Sequence, residues 1–111
     1  MEWNPSMRTR EPVTYAVTLH VLATFVARPD TREQLVPLLT SLVEPIRQDA
    51  GCLRCDLVVN NDDETELVFI EEWTNDRALD RHLDDAFVAG VVAQAQPLLA
   101  QPLTLYRYSS A

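Results

Sequence analysis

The chain has 111 residues, which fits one domain of the usual independent size. Hydrophobic residues make up 47% and charged residues 23%, proportions that favour a folded core over wholesale disorder. The formal net charge is −8 and all nine basic residues are arginines with no cluster among them, so nucleic acid and anionic membranes are discounted as partners.

Residues 1–12 hold scattered charges and two prolines without an apolar period, and read as a flexible N-terminal arm before a domain at 13–111. Met1-Glu2-Trp3-Asn4-Pro5 lacks the basic start and apolar run of a secretory signal. The apolar run from Val88 to Ala93 is far short of the ~20 residues that span a bilayer. The expectation is a cytoplasmic protein.

Tyr15 to Ala27 is β-branched and apolar without helical spacing, which predicts a long strand. Leu19, Val21, Ala23 and Phe25 share one of its faces; His20, Leu22, Thr24 and Val26 share the other. Asp30 and Glu33 have capping-box spacing. Leu35, Leu38, Leu39, Leu42, Val43 and Ile46 then repeat at three and four residues, predicting an amphipathic helix to about Asp49. Pro37 and Pro45 inside it call for a kink or a late start, and Gly51 suits the left-handed position past its end.

Leu53 to Val59 and Glu66 to Trp73 read as a hairpin around the turn-forming Asn60 to Thr65. Thr74 or Asn75 caps a helix whose stripe is Ala78, Leu79, His82 and Leu83. A second helical run carries Phe87, Val88, Val91, Val92, Ala95, Leu98 and Leu99, before Pro102 and a last strand at Leu103 to Tyr108. The order β-α-β-β-α-β is that of the ferredoxin-like α+β fold, an antiparallel sheet with helices on one face. Because the strands are apolar on both sides, the uncovered face is expected to be buried by a second copy, giving a homodimer.

Cys52 and Cys55 form a C-x-x-C that follows a helix and enters a strand, the reverse of a redox motif at a helix start. Three residues apart in a regular strand, they would point to opposite faces, too far apart for a disulfide. His20 and His82 add too little for a zinc site, so both cysteines are read as semi-buried structural residues.

Phe69, Glu71 and Trp73 share a strand face, and the stripe carrying His82 packs towards it. These groups are expected to converge in a mostly apolar pocket for a small molecule. A carboxylate on an apolar face is costly to bury unpaired, and His82 is the partner expected for Glu71. The same bond could simply hold helix to sheet. His20, on the opposite face from Phe25, is expected to look towards the dimer partner.

Gly51-Cys52-Leu53-Arg54-Cys55-Asp56-Leu57, Phe69-Ile70-Glu71-Glu72-Trp73 and Ala78-Leu79-Asp80-Arg81-His82-Leu83 together resemble the antibiotic biosynthesis monooxygenase family over about residues 17–108. The resemblance implies a dimeric ferredoxin-like α/β barrel. It also implies oxidation of quinols or phenols by dioxygen with no metal or flavin cofactor. On that reading His82 and Glu71 are catalytic, while Trp73, Phe69, Phe25 and Phe87 contact a small aromatic substrate.

Departures from the family are visible. Phe87 stands where many members have a second histidine, Phe69 where oxidisers of polycyclic aromatics can have asparagine, and Val92 where haem degraders have histidine. The readings of another class are a non-catalytic dimer that binds a small apolar metabolite, and an isomerase that shuttles protons with the same Glu71 and His82.

Overall fold

A computed structural model describes residues 18–111, so the arm at 1–12 and the predicted strand start at Tyr15 lie outside the described residues. The elements are β1 (Leu19–Val26), α1 (Arg32–Thr40), α2 (Val43–Gln48), β2 (Cys52–Asn60), β3 (Asp63–Trp73), α3 (Asp76–Leu83), α4 (Ala86–Ala95) and β4 (Thr104–Ser109). The four strands form one antiparallel sheet in the order β2-β3-β1-β4. This is the ferredoxin-like α+β arrangement, because β3 returns between β1 and β2 and splits the first β-α-β unit.

Alternation divides the sheet faces. Leu19, Val21, Ala23 and Phe25 of β1 and Leu67, Phe69, Glu71 and Trp73 of β3 are buried, and the residues between them are only half-buried. Leu35, Leu39, Ile46, Leu79, Val88, Val91 and Ala95 from the helices, with Leu42 from the turn between α1 and α2, complete the core. The opposite face carries Leu22, Val26, Val68 and Ile70 with the exposed Val58, Tyr106 and Tyr108.

The helix predicted to run unbroken to Asp49 is two helices with a turn at Ser41–Leu42. Pro45 accounts for the break, since it has no N–H for the carbonyl of Ser41 four residues earlier and its ring crowds that carbonyl. The predicted Asp30–Glu33 box does not form. Pro29–Thr31 is a 3-10 turn, and the Thr31 hydroxyl bonds the carbonyls of Arg28 and Leu98. Asn75 and Asp85 do cap α3 and α4 through their side chains. The last helix is shorter than predicted, because Pro97 turns the chain into a 3-10 segment at Gln96–Leu98.

A β-bulge between Cys52 and Arg54 corrects the expectation for the cysteines. Cys52 lies opposite Trp73 and Cys55 opposite Glu71, so both occupy the same face as those residues. Both thiols are free. Burial pushes Cys52 up to about 11 and Cys55 up to about 12, with the Glu71 carboxylate adding to both shifts, so neither is a ready nucleophile at neutral pH.

Gly51 joins α2 to β2 with φ +88°, the left-handed conformation read from its place after the helix. A Cβ there would stand 2.5 Å from Cβ of Ala78 and 2.9 Å from the Thr74 hydroxyl. The Gly51 carbonyl also accepts the backbone N–H of Thr74 at 2.9 Å. The turn after α2 is thereby pressed onto the start of α3, with consequences for the site.

Candidate functional site

A cavity of about 50 Å³ lies between the sheet and the helices, lined by Phe25, Phe69, Glu71 and His82 together with aliphatic side chains that include Leu42, Ile46, Leu83 and Val92. Glu71 and His82 are its two titratable groups. Each is only 5% exposed. Phe25 and Phe69 meet edge to face with centroids 5.8 Å apart and form an aromatic wall, as their shared strand face predicts.

Trp73 stands behind this wall, outside the cavity lining. Its indole Nε1–H donates to Glu71 Oε1 at 2.8 Å, and its ring lies against His82 with centroids 4.9 Å apart. Trp73 thus fixes both polar groups of the cavity at once. Burial raises the Glu71 pKa above the ordinary carboxylate value, opposed by the Trp73 hydrogen bond and the nearby His82, while Asp49 adds to the rise. The shift is towards the neutral carboxyl, in an apolar setting.

The hydrogen bond expected between Glu71 and His82 is not what the structure contains. His82 Nδ1 lies 2.6 Å from Oδ2 of Asp49, the residue that follows α2. Sequence reading missed Asp49 because 33 residues separate it from His82. The only local signal was Gly51. Its close approach to Ala78 brings the end of α2 against α3, and His82 follows Ala78 by one helical turn on the same face.

Phe87, expected in the pocket, is 51% exposed and does not line it. Asp85 accepts from the backbone N–H groups of Phe87 and Val88, which sets the start of α4. That phase turns Val88, Val91 and Ala95 inward and Phe87 outward. His20 is on the open sheet face, near the Ser110 hydroxyl at 3.1 Å and Glu72 at 4.0 Å. Among the described residues no three His, Cys, Asp or Glu side chains converge as metal ligands.

The model of the antibiotic biosynthesis monooxygenase family matches residues 18–93. The chain belongs to this family. It is 35% identical over 85 residues to the candidate monooxygenase Rv0793 of Mycobacterium tuberculosis, covering 77% of this chain and 83% of that protein. Similarity to the candidate monooxygenase YcnE of Bacillus subtilis is 31% identity over 80 residues, covering 72% of this chain and 84% of that one. An uncharacterised Synechocystis protein is 29% identical over 84 residues; the match takes in 76% of this chain and only 57% of that relative.

The solved structure of Rv0793 superposes with a TM-score of 0.80 at 32% identity, covering 85% of this chain and 95% of that one. A crystal structure described as an antibiotic biosynthesis monooxygenase gives the same TM-score and identity, covering 84% and 98%. Family and fold therefore agree with the resemblance read from the three motifs. Among the described residues no helix is long and apolar enough to cross a membrane.

Proposed function

We propose that the protein is a cofactor-independent monooxygenase that oxidises a small electron-rich aromatic, a quinol or phenol, with dioxygen. The observation that carries this reading is the meeting of an imidazole, His82, and a carboxyl whose pKa burial raises, Glu71, on one apolar cavity. Family membership supports it. His82 takes the hydroxyl proton, and the aromatic anion passes an electron to dioxygen. The two radicals join through a new C–O bond. His82 returns its proton to the peroxide, the ring carbon loses its hydrogen as a proton, and cleavage of the O–O bond leaves one oxygen on that carbon as a carbonyl and releases the other as water, with Glu71 supplying the second proton and regaining the one lost from carbon.

At about 50 Å³ the cavity is far below the roughly 300 Å³ of an ordinary ligand site. It accommodates dioxygen as it stands. An aromatic ring would enter by displacing Leu83, which lines the cavity and is 37% exposed. The working unit on this reading is a homodimer joined through the open sheet face, whose Leu22, Val26, Ile70 and Tyr106 are unsuited to permanent contact with water.

Oxygen uptake with a panel of quinols and phenols tests the activity. Uptake above the autoxidation rate is expected for at least one single-ring substrate, and no stimulation across the panel overturns the reading. The pairing of a carboxyl with an imidazole also suits an isomerase, which would turn over a hydroxylated ketone equally well without oxygen. Sedimentation at micromolar concentration is expected to give twice the chain mass.

A further inference from the structure

His82 lies between two different spaces. One is the apolar cavity; the other is a cleft of about 160 Å³ lined by Asp49, Ala50, Ala78, Arg81, His82 and Asp85. Asp49 is 35% exposed at the side chain, in contrast to 4% for His82, so the carboxylate is wet where the imidazole is dry. A carboxylate has no proton to donate, so at 2.6 Å Nδ1 of His82 is the donor and carries the hydrogen. In a neutral ring the lone pair is then on Nε2. That nitrogen has no protein hydrogen-bond partner among the described residues.

We propose that Asp49 is a positioning residue that presents the unprotonated Nε2 of His82 to the cavity, and that, as Nε2 takes up a proton there, the Nδ1 proton leaves to water through the cleft outside it. The proton route rests on the monooxygenase reading, whereas the tautomer does not. The steps balance on the ring itself. Nε2 accepts the substrate hydroxyl proton, the substrate keeps the electron pair of the broken O–H bond, and Nδ1 passes its own proton by way of Asp49 to solvent. The ring is left with its hydrogen on Nε2, poised to return it to the oxygen reduced in the later step, and Nδ1 then regains a proton from the Asp49 side.

The charged groups around His82 divide in the way this route requires. Asp49, Arg81 and Asp85 face it from the wet cleft, and Glu71 alone faces it from the cavity. A proton can therefore reach bulk water without crossing the cavity. Such an arrangement lets the imidazolium shed its charge without admitting water to a reactive anion.

The test is Asp49→Asn in the full chain, followed by the long-range proton–nitrogen NMR spectrum of His82 and by steady-state kinetics. The asparagine amide can donate to Nδ1, so the ring is expected to switch to the form with hydrogen on Nε2. Turnover should fall by about 10²-fold or more while KM stays within about twofold. The solvent deuterium isotope effect on kcat should rise. Asp49→Glu, which keeps the carboxylate, is expected to preserve the tautomer and recover part of kcat. An unchanged tautomer in Asp49→Asn overturns the proposal, as does a kcat loss that merely follows the amount of folded protein. If wild-type protein shows no oxygen uptake, the catalytic reading and the proton route fall together, and the NMR result still decides whether Asp49 sets the ring.

Discussion

Glu71 and Glu72 are consecutive in β3, and they live in different media. Glu71 points to the helix-covered face among Phe25, Phe69 and Trp73, where burial raises its pKa and an indole N–H is its hydrogen-bond donor. Glu72 points to the open face, within 3.6 Å of Arg54 and 4.0 Å of His20. The period of two along a strand is enough to separate chemistry from surface. The covered face raises a carboxylate's pKa by burial, and the open face keeps its charges paired among half-buried apolar neighbours.

The contrast can be broken most severely from the covered side. Phe69→Ala removes a side chain that is 2% exposed and forms one cavity wall, and should destabilise the fold by about 3–5 kcal/mol in urea titrations. A loss below ~1 kcal/mol would mean that the covered face is loosely packed. Gly51→Ala should cost more than about 1 kcal/mol, since the new methyl meets Ala78 and the backbone is left-handed. It should also loosen the contact between Asp49 and His82, so the His82 ring resonances are expected to shift with the melting temperature.

The electrostatic side of the comparison is sharpened by pH. Because the folded state holds the Glu71 proton more tightly than the unfolded chain, its contribution to stability is full below about 4.5, the ordinary value. That contribution is lost as pH rises through the raised folded value. Glu71→Gln removes this component, so the melting temperature of the wild type relative to the variant should decline as pH increases from 4.5. A difference that is flat with pH would show that Glu71 titrates as it does in water.

The smallest effect on the single chain belongs to the open face. Tyr106 is 56% exposed there, and Tyr106→Arg should change chain stability by only about 0.5 kcal/mol. Its effect on assembly should be large, shifting the sedimenting species from two chains to one. An unaltered dimer would place the self-association surface elsewhere.

Strand faces were readable in the sequence because alternation reports them directly, and Phe25, Phe69 and Glu71 all follow from it. The convergence of His82 on the same face was readable from its helical stripe. What escaped depended on single-residue offsets or long separations. The bulge after Cys52 moves one cysteine to the other face with no glycine to announce it. The Asp85 cap sets the phase of α4, so that Phe87 points outward although it repeats at helical spacing with Val91. Asp49 meets His82 only because the Gly51 turn packs on Ala78, a contact that no local pattern contains.

The central claim is that His82 is the base of a catalytic cavity rather than a strut between the end of α2 and α3, and His82→Gln tests it most directly. Gln can still donate to Asp49, so the variant should remain folded, but it cannot accept a proton near neutral pH. Oxygen uptake with the best substrate of the panel should fall by roughly 10²-fold or more, with the melting temperature close to that of the wild type. A stable His82→Gln protein with full oxygen uptake would contradict the account.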